Sequence, residues 1–137
     1  MQGEWIPVIR YQSGLWLGVS DGELHIGTEH EPTKPIDHAN LVGLLPLLEL
    51  DRDQVMSTIG RKEREAGLAV GTISDLISLK SILRTAISMR SEYWTELALD
   101  WVEILPNDQE LSDALTGLVT ANWASQKVRH RAKRKLS

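Results

Sequence analysis

Residues 5–26 read WIPVIRYQSGLWLGVSDGELHI, and this stretch decides the fold class. It is rich in Ile, Val, Trp and Tyr, which favour strands, and turn residues interrupt it twice. The dipeptide Asp21-Gly22 suits the tight turn of a β-hairpin, and Pro7 favours an edge strand because it lacks a backbone N–H group. The pattern therefore predicts a three-stranded antiparallel meander, with strands at about residues 5–11, 15–20 and 23–26.

The two turns also predict the register of the strands. A three-residue loop at residues 12–14 and the tight turn after residue 20 give the pairs Tyr11–Leu15, Ile9–Leu17, Ser20–Glu23, Val19–Leu24 and Leu17–Ile26. This register places a mostly apolar set on one face, which we predict to be the core side: Ile9, Tyr11, Leu15, Leu17, Val19, Leu24 and Ile26. The opposite, mixed face carries Ile6, Val8, Arg10, Trp16, Ser20, Glu23 and His25.

After a loop predicted over residues 27–35, the pattern becomes helical and stays helical. Capping residues, glycine and proline separate segments at about residues 37–45, 52–66, 73–90, 92–105 and 108–123. A continuation of the last segment into the basic C-terminal residues is left open. Thr72 with Asp75 resembles a capping box for the third segment, whose wide apolar surface is typical of a central helix. The sequence thus predicts an α+β fold, with the meander packed on a C-terminal bundle of four to five helices. We predict one domain, residues 1–126, and a basic tail, residues 127–137.

The formal net charge of −4 conceals an asymmetry. Six of the fifteen basic residues lie in the last eleven positions, so residues 1–126 carry nine basic and nineteen acidic side chains, a net charge of −10. The lack of cysteine excludes disulfides, thiolate metal sites and cysteine nucleophiles, and it fits a reducing compartment. The longest apolar run, residues 41–48, is too short to span a membrane, and the first thirty residues lack a secretory signal pattern. We therefore expect a cytoplasmic protein with no membrane partner.

The sequence contains none of the common catalytic motifs, such as a phosphate-binding glycine loop, a nucleophile elbow or a dinucleotide fingerprint. This absence favours a non-enzymatic protein. The nearest approach to a metal site is His25, His30 and His38, which lie close to acidic residues in the sequence. Their spacing matches no standard zinc pattern, so solvated loop histidines are the simpler interpretation, and no cofactor or metal ligand is predicted. An enzyme or metal protein that uses this histidine region is retained as an alternative.

Four carboxylates share one side of the predicted helix at residues 92–105. Steps of about 100° per residue place them within one quadrant around Leu99, and we name them the acidic stripe: Glu92, Glu96, Asp100 and Glu103. This helix contains no lysine or arginine, and like charges four residues apart repel each other. Three interpretations are left open. The stripe is a solvated face, or it is neutralised by Arg84, Arg90 or the basic tail. In the third interpretation it is a docking surface with Leu99 as an apolar anchor. On the opposite side, Trp94 and Trp101 are predicted to lie in the core.

The basic tail is the second charged candidate, with six cations: Lys127, Arg129, Arg131, Lys133, Arg134 and Lys135. Dense positive charge releases counterions from nucleic acid, so the tail is suited to phosphate groups. It has no aromatic residue for base stacking, and no recognition-helix motif precedes it. In the other interpretation, the cations complement the negative end of the last helix while the final residues fray, which would make the tail dispensable for folding.

The leading hypothesis from the sequence is a non-enzymatic protein-binding module that presents an acidic surface to a basic partner protein, as an immunity or antitoxin-type inhibitor does. Its predicted contact residues are the acidic stripe, Leu99 and Trp16. Trp16 is either covered by a helix or an exposed aromatic anchor beside Arg10 and His25. The alternative is a nucleic-acid-associated regulator that acts through the basic tail. The sequence predicts nothing about the oligomeric state.

Overall fold

The computed structural model describes residues 4–12, 14–37 and 41–137. The chain divides into two compact units. The sheet unit comprises residues 1–39 and 49–78, and the helical unit comprises residues 40–48 and 79–137. The α+β class is confirmed, since an N-terminal antiparallel sheet is followed by helices.

The sheet of the described residues has four antiparallel strands in the order β1-β2-β3-β4. Their bounds are Ile6–Gln12 (β1), Leu15–Ser20 (β2), Glu23–Gly27 (β3) and Pro32–Pro35 (β4). The three predicted strands are confirmed, and the edge position expected for the strand containing Pro7 is confirmed as well. The prediction of three strands was one strand short.

The additional strand, β4, lies in the segment that was predicted to be a loop. Its residues are all exposed, so no alternation of apolar and polar side chains marks it in the sequence. Pro32 and Pro35 lack N–H groups, which an edge strand tolerates because one side of its backbone has no partner strand. The hydroxyl of Thr28 closes the preceding turn by accepting hydrogen bonds from the N–H groups of His30 and Glu31, both at 3.1 Å.

The predicted register is confirmed for four pairs: Ile9–Leu17, Leu17–Ile26, Val19–Leu24 and Ser20–Glu23. The pair Tyr11–Leu15 is wrong, because β1 shifts register and sets Gln12 opposite Leu15. A second shift follows Pro7, and Val8 of the predicted mixed face is buried, with 2% of its surface exposed. An irregularity of this kind changes which side chains point inward, and a pattern of strict alternation cannot foresee it.

Trp5 packs on two glycines of the sheet. A Cβ atom at Gly18 would lie 2.5 Å from the Trp5 ring, and one at Gly27 would lie 3.1 Å from it. The indole Nε1–H also donates a hydrogen bond to the Thr28 carbonyl at 3.0 Å. The two glycines therefore leave the space that the indole fills.

Helix α1, Arg52–Glu65, packs against β1 and begins after the predicted cap residue Asp51. Gly67 follows its end with a φ of +73°, a left-handed conformation that glycine adopts without strain. The inward side of α1 carries Val55, Ile59 and the carboxylate of Glu63.

Glu63 is buried and holds the segment that follows α1. Its two oxygens accept hydrogen bonds from the backbone N–H groups of Gly71 at 3.1 Å, Ile73 at 2.6 Å and Ser74 at 3.3 Å. Burial by itself would raise the pKa of Glu63, but these hydrogen bonds outweigh burial and hold the pKa below its ordinary value. Glu63 therefore stays ionised at neutral pH.

The prediction of one helix over residues 73–90 was wrong. Ser74–Leu76 forms a short 3₁₀ helix, Ile77 is extended, and helix α2 begins only at Leu79. The hydroxyl of Thr72, predicted to cap the helix, donates instead to the Ala69 carbonyl at 2.7 Å. Glu63 provides acceptors for the free N–H groups at the start of the 3₁₀ helix.

The helical unit contains α2, Leu79–Ser88; α3, Glu92–Val102; α4, Gln109–Val119; and α5, Gln126–Leu136. A 3₁₀ helix, Val42–Glu49, stands where an α-helix was predicted from about residue 37, and it includes Pro46. The predicted cap Ser91 is confirmed at α3. The predicted cap Asn107 is displaced by Asp108, and α4 ends before Trp123, so that Ser125 caps α5 as a separate helix.

Helix α2 packs against α3 and α4, and α5 packs against the same two helices. Trp101 is in the core as predicted: 3% of its surface is exposed, and its Nε1–H donates to the Leu48 carbonyl at 3.2 Å. Trp94 is only half-buried, with its ring 4.9 Å from that of Tyr93 in an edge-to-face arrangement. No helix in the described part of the chain is both long enough and apolar enough to cross a membrane.

Candidate functional site

The basic tail forms most of helix α5, which packs against α3 and α4. The Ser125 hydroxyl caps α5 by accepting a hydrogen bond from the Val128 N–H group at 3.2 Å. Val128 and Ala132 face inward and have no exposed surface. Because these two side chains are fully buried, α5 contributes to the core of the helical unit.

The acidic stripe faces α5 and is paired with it. Lys127 Nζ lies 2.7 Å from Glu96 Oε1, and the Arg131 guanidinium bridges Asp100 and Glu103, the latter at 3.0 Å. At the start of α3, the carboxylate of Glu92 accepts a hydrogen bond from the Ser125 N–H group. The basic tail thus pairs with the stripe, as one of the three interpretations expected, while the side chains of Asp100 and Glu103 stay 58% and 66% exposed.

The pKa values of this contact agree with its geometry. Hydrogen bonds from Ser125 hold the pKa of Glu92 below its ordinary value, and the positive charge of Lys127 acts in the same direction. Burial would lower the pKa of Arg131, but the hydrogen bonds to Asp100 and Glu103 outweigh burial and raise it. Both ends of the contact are therefore charged at neutral pH.

Lys135 completes the contact at the far end of α3. Its Nζ donates hydrogen bonds to the backbone carbonyls of Glu103 at 3.0 Å and Leu105 at 2.6 Å. A cation at this position satisfies the carbonyl groups that a helix leaves unpaired at its C-terminus. Leu99, expected to be an apolar anchor on the surface, is buried with 4% exposed, and it lines a small cavity of about 210 Å³ with Arg131 and Lys135.

The opposite side of α5 carries further cations, of which only Lys127 is paired with a carboxylate of α3. We name it the outer face, and its residues line an open groove of about 540 Å³: Lys127, His130, Lys133, Arg134 and Ser137. Within the described residues, no carboxylate lies at ion-pair distance from Lys133 or Arg134. Arg129 is half-buried beside this face. Arg131 and Lys135 thus contact α3, Lys127 takes part in both the contact and the outer face, and Arg134 lines both the groove and the cavity beside Leu99 and Glu103.

The other predicted site residues lie in the sheet unit. Trp16 is half-buried on the mixed face, where Arg10 is its partner across the strands. His25 is half-buried, with Nδ1 3.1 Å from the Glu23 carbonyl, and His30 is exposed. His38 lies outside the described residues. Among the residues that the structure describes, no three histidine or carboxylate side chains are placed to hold a metal ion.

The charge divides by unit rather than by body and tail. The sheet unit carries twelve acidic and six basic side chains, a net charge of −6, and the helical unit carries seven acidic and nine basic side chains, a net charge of +2. The ion pairs between α3 and α5 could have been predicted from the spacing of the charged residues, which a count of charges along the chain does not consider. Lys127, Arg131 and Lys135 recur every four residues and so form one row on a helix. The carboxylates of the stripe, spaced by four, four and three residues, form another.

In comparisons with known proteins, no family model, curated protein or solved structure matches this chain.

Proposed function

We propose that this chain is a non-enzymatic binding module that binds the phosphate backbone of a nucleic acid through the outer face of α5. The observation that carries the proposal is the division of the cations. Arg131 and Lys135 are held against α3, whereas Lys133 and Arg134 are exposed and have no carboxylate at ion-pair distance in the described part of the chain. A cytoplasmic location is part of the same proposal.

The chemistry of the outer face suits phosphate groups. Lysine and arginine neutralise phosphates and release condensed counterions, and this gain is independent of base sequence. The outer face has no Trp, Tyr or Phe on which a base would stack, so we expect contacts to the backbone rather than to the bases. The net charge of +2 on the helical unit favours a polyanion more than the whole-chain charge of −4 would indicate.

The number of cations predicts the salt dependence. Two or three phosphate contacts give a slope of about −1.8 to −2.7 for the logarithm of the binding constant against that of the salt concentration. The affinity should then fall about 12- to 40-fold between 50 and 200 mM salt. A slope near zero would exclude phosphate contacts as the source of binding.

The proposal is tested by fluorescence anisotropy with a short labelled DNA duplex at low salt. The variant Lys133→Gln/Arg134→Gln should bind about tenfold more weakly, because it loses two phosphate contacts. The matched control is Lys34→Gln/Arg61→Gln, which removes the same charge from exposed positions of the sheet unit and should bind nearly as the wild type does. Equal losses in both variants, or no binding by the wild type, would refute the proposal.

A second candidate is the binding of a basic partner protein, as an immunity or antitoxin-type inhibitor binds its target. The charge of −6 on the sheet unit favours it, together with the half-buried aromatic ring of Trp16 on the mixed face. The acidic stripe supports it less well, because a partner there would have to displace α5 with its buried Val128 and Ala132.

Purification of the tagged chain from its own host separates the two candidates. A stoichiometric basic protein that is retained by the Lys133→Gln/Arg134→Gln variant and lost with Trp16→Ala supports the second candidate. Nucleic acid that is removed by salt, and is lost with Lys133→Gln/Arg134→Gln, supports the first. Mass spectrometry detects the protein, and absorbance at 260 nm detects the nucleic acid. Binding of a protein at α5 would count against both candidate functions.

A further inference from the structure

Lys127 belongs to two sites at the same time. Its Nζ lies 2.7 Å from Glu96 Oε1, and its side chain also lines the groove of the outer face with Lys133 and Arg134. It remains 74% exposed, whereas the side chain of Arg131 in the adjacent ion pairs is only 18% exposed. Lys127 is thus the cation of the α3 contact that a ligand on the outer face can reach.

We propose that Glu96 is an internal competitor for Lys127 and thereby lowers the affinity of the outer face for phosphate groups. The inference rests on the proposed function, whose site it regulates. A phosphate that approaches Lys127 must either replace Glu96 or accept its repulsion, because one carboxylate already neutralises that ammonium group. Lys133 and Arg134 bind without this competition. In the wild-type chain, Lys133 and Arg134 therefore neutralise phosphate groups fully, and Lys127 does so in part.

Of the other carboxylates of the stripe, none lies at ion-pair distance from Lys127, although its charge also lowers the pKa of Glu92. Asp100 and Glu103 hold Arg131, which is largely covered, and Glu92 accepts its hydrogen bond from the Ser125 backbone. Removing any of these changes how α5 is anchored. Glu96 is different because its partner is exposed and because an exposed ion pair contributes little to stability.

The test is a double-mutant cycle measured with the same labelled duplex. Glu96→Gln should bind about two- to fivefold more tightly than the wild type, which is the range that an exposed ion pair commonly represents. The salt slope should steepen by at most about 0.9, the value for one full phosphate contact, because Lys127 already contributes in part in the wild type. In the background of Lys127→Gln, the substitution Glu96→Gln should have almost no effect, because the cation for which Glu96 competes is gone.

Asp113→Asn is the matched control, since it also removes one negative charge from an exposed position of the helical unit, where Asp113 accepts a hydrogen bond from Gln109. Equal tightening by Asp113→Asn would show a general charge effect and overturn the inference. A gain from Glu96→Gln that persists in the Lys127→Gln background would overturn it as well. If the wild type does not bind the duplex at all, the proposed function itself has failed, which is a distinguishable outcome. Far-UV circular dichroism of each variant confirms that α5 is still folded.

Discussion

The packing of α5 is tested most directly by Val128→Ala. Val128 is fully buried, and the substitution removes two carbon atoms from its side chain. At about 0.8 kcal/mol for each buried methylene-sized group, plus the cavity left behind, the free energy of unfolding should fall by about 2 kcal/mol. The exposed residue His130, two positions away on the same helix, provides the matched control, because His130→Ala removes a side chain that buries little surface.

Urea unfolding followed by tryptophan fluorescence measures both variants. Three of the five tryptophans, Trp94, Trp101 and Trp123, lie in the helical unit, and two of them are on α3, against which α5 packs, so a large part of the signal reports on this unit. We expect a lower midpoint for Val128→Ala with an unchanged slope, and a midpoint for His130→Ala close to that of the wild type. If Val128→Ala lies within about 0.5 kcal/mol of the wild type, as surface substitutions do, α5 is not packed as described and the tail is a free basic segment.

Three other substitutions probe the buried acid, the core tryptophan and the start of α3. Glu63→Gln should lower stability by about 1–3 kcal/mol and speed amide hydrogen exchange after α1, because an amide cannot accept all the hydrogen bonds that the carboxylate accepts; unchanged exchange at Ile73 would contradict this. Trp101→Ala should cost about 3–5 kcal/mol in urea unfolding, and a smaller loss than for Val128→Ala would be inconsistent with its burial. The pKa of Glu92 is lowered in the folded state, so its ionised carboxylate stabilises the fold at neutral pH and this stabilisation is lost as the pH falls through the acidic range. The free energy of unfolding should therefore fall less on acidification for Glu92→Gln than for the wild type. Parallel curves of that free energy against pH would refute the role of Ser125.

The parts of the fold that could be predicted are those that neighbouring residues determine. The strands around Asp21-Gly22 follow from alternation and one tight turn, and the start of α3 follows from its cap residue Ser91, whose hydroxyl accepts a hydrogen bond from the Trp94 N–H group. Helix α1 also begins after the predicted residue Asp51, which makes no side-chain cap hydrogen bond. Strand β4 could not be predicted in this way, because an exposed edge strand bounded by prolines has the composition of a loop. Its existence depends on pairing with β3, which is a tertiary interaction.

The break before α2 shows the same limit for helices. The pattern over residues 73–90 is helical throughout, and Thr72 with Asp75 has the spacing of a capping box. In the structure Ile77 is extended and α2 begins only at Leu79. The N–H groups of Ile73 and Ser74 are bound by the carboxylate of Glu63, about ten residues earlier. Such a contact between distant residues leaves no sign in a local helical pattern.

The candidate site shows why charge counted along a sequence is an incomplete guide to a surface. The stripe on α3 and the cations of α5 are about thirty residues apart, and each of them, taken without its partner, predicts a separate docking surface. In the folded chain they form ion pairs, while the side chains of Asp100 and Glu103 stay 58% and 66% exposed. Lys133 and Arg134 lie beyond that pairing and have no carboxylate at ion-pair distance in the described part of the chain. For this reason our proposal places an anionic ligand on the outer face, although the chain has a net charge of −4.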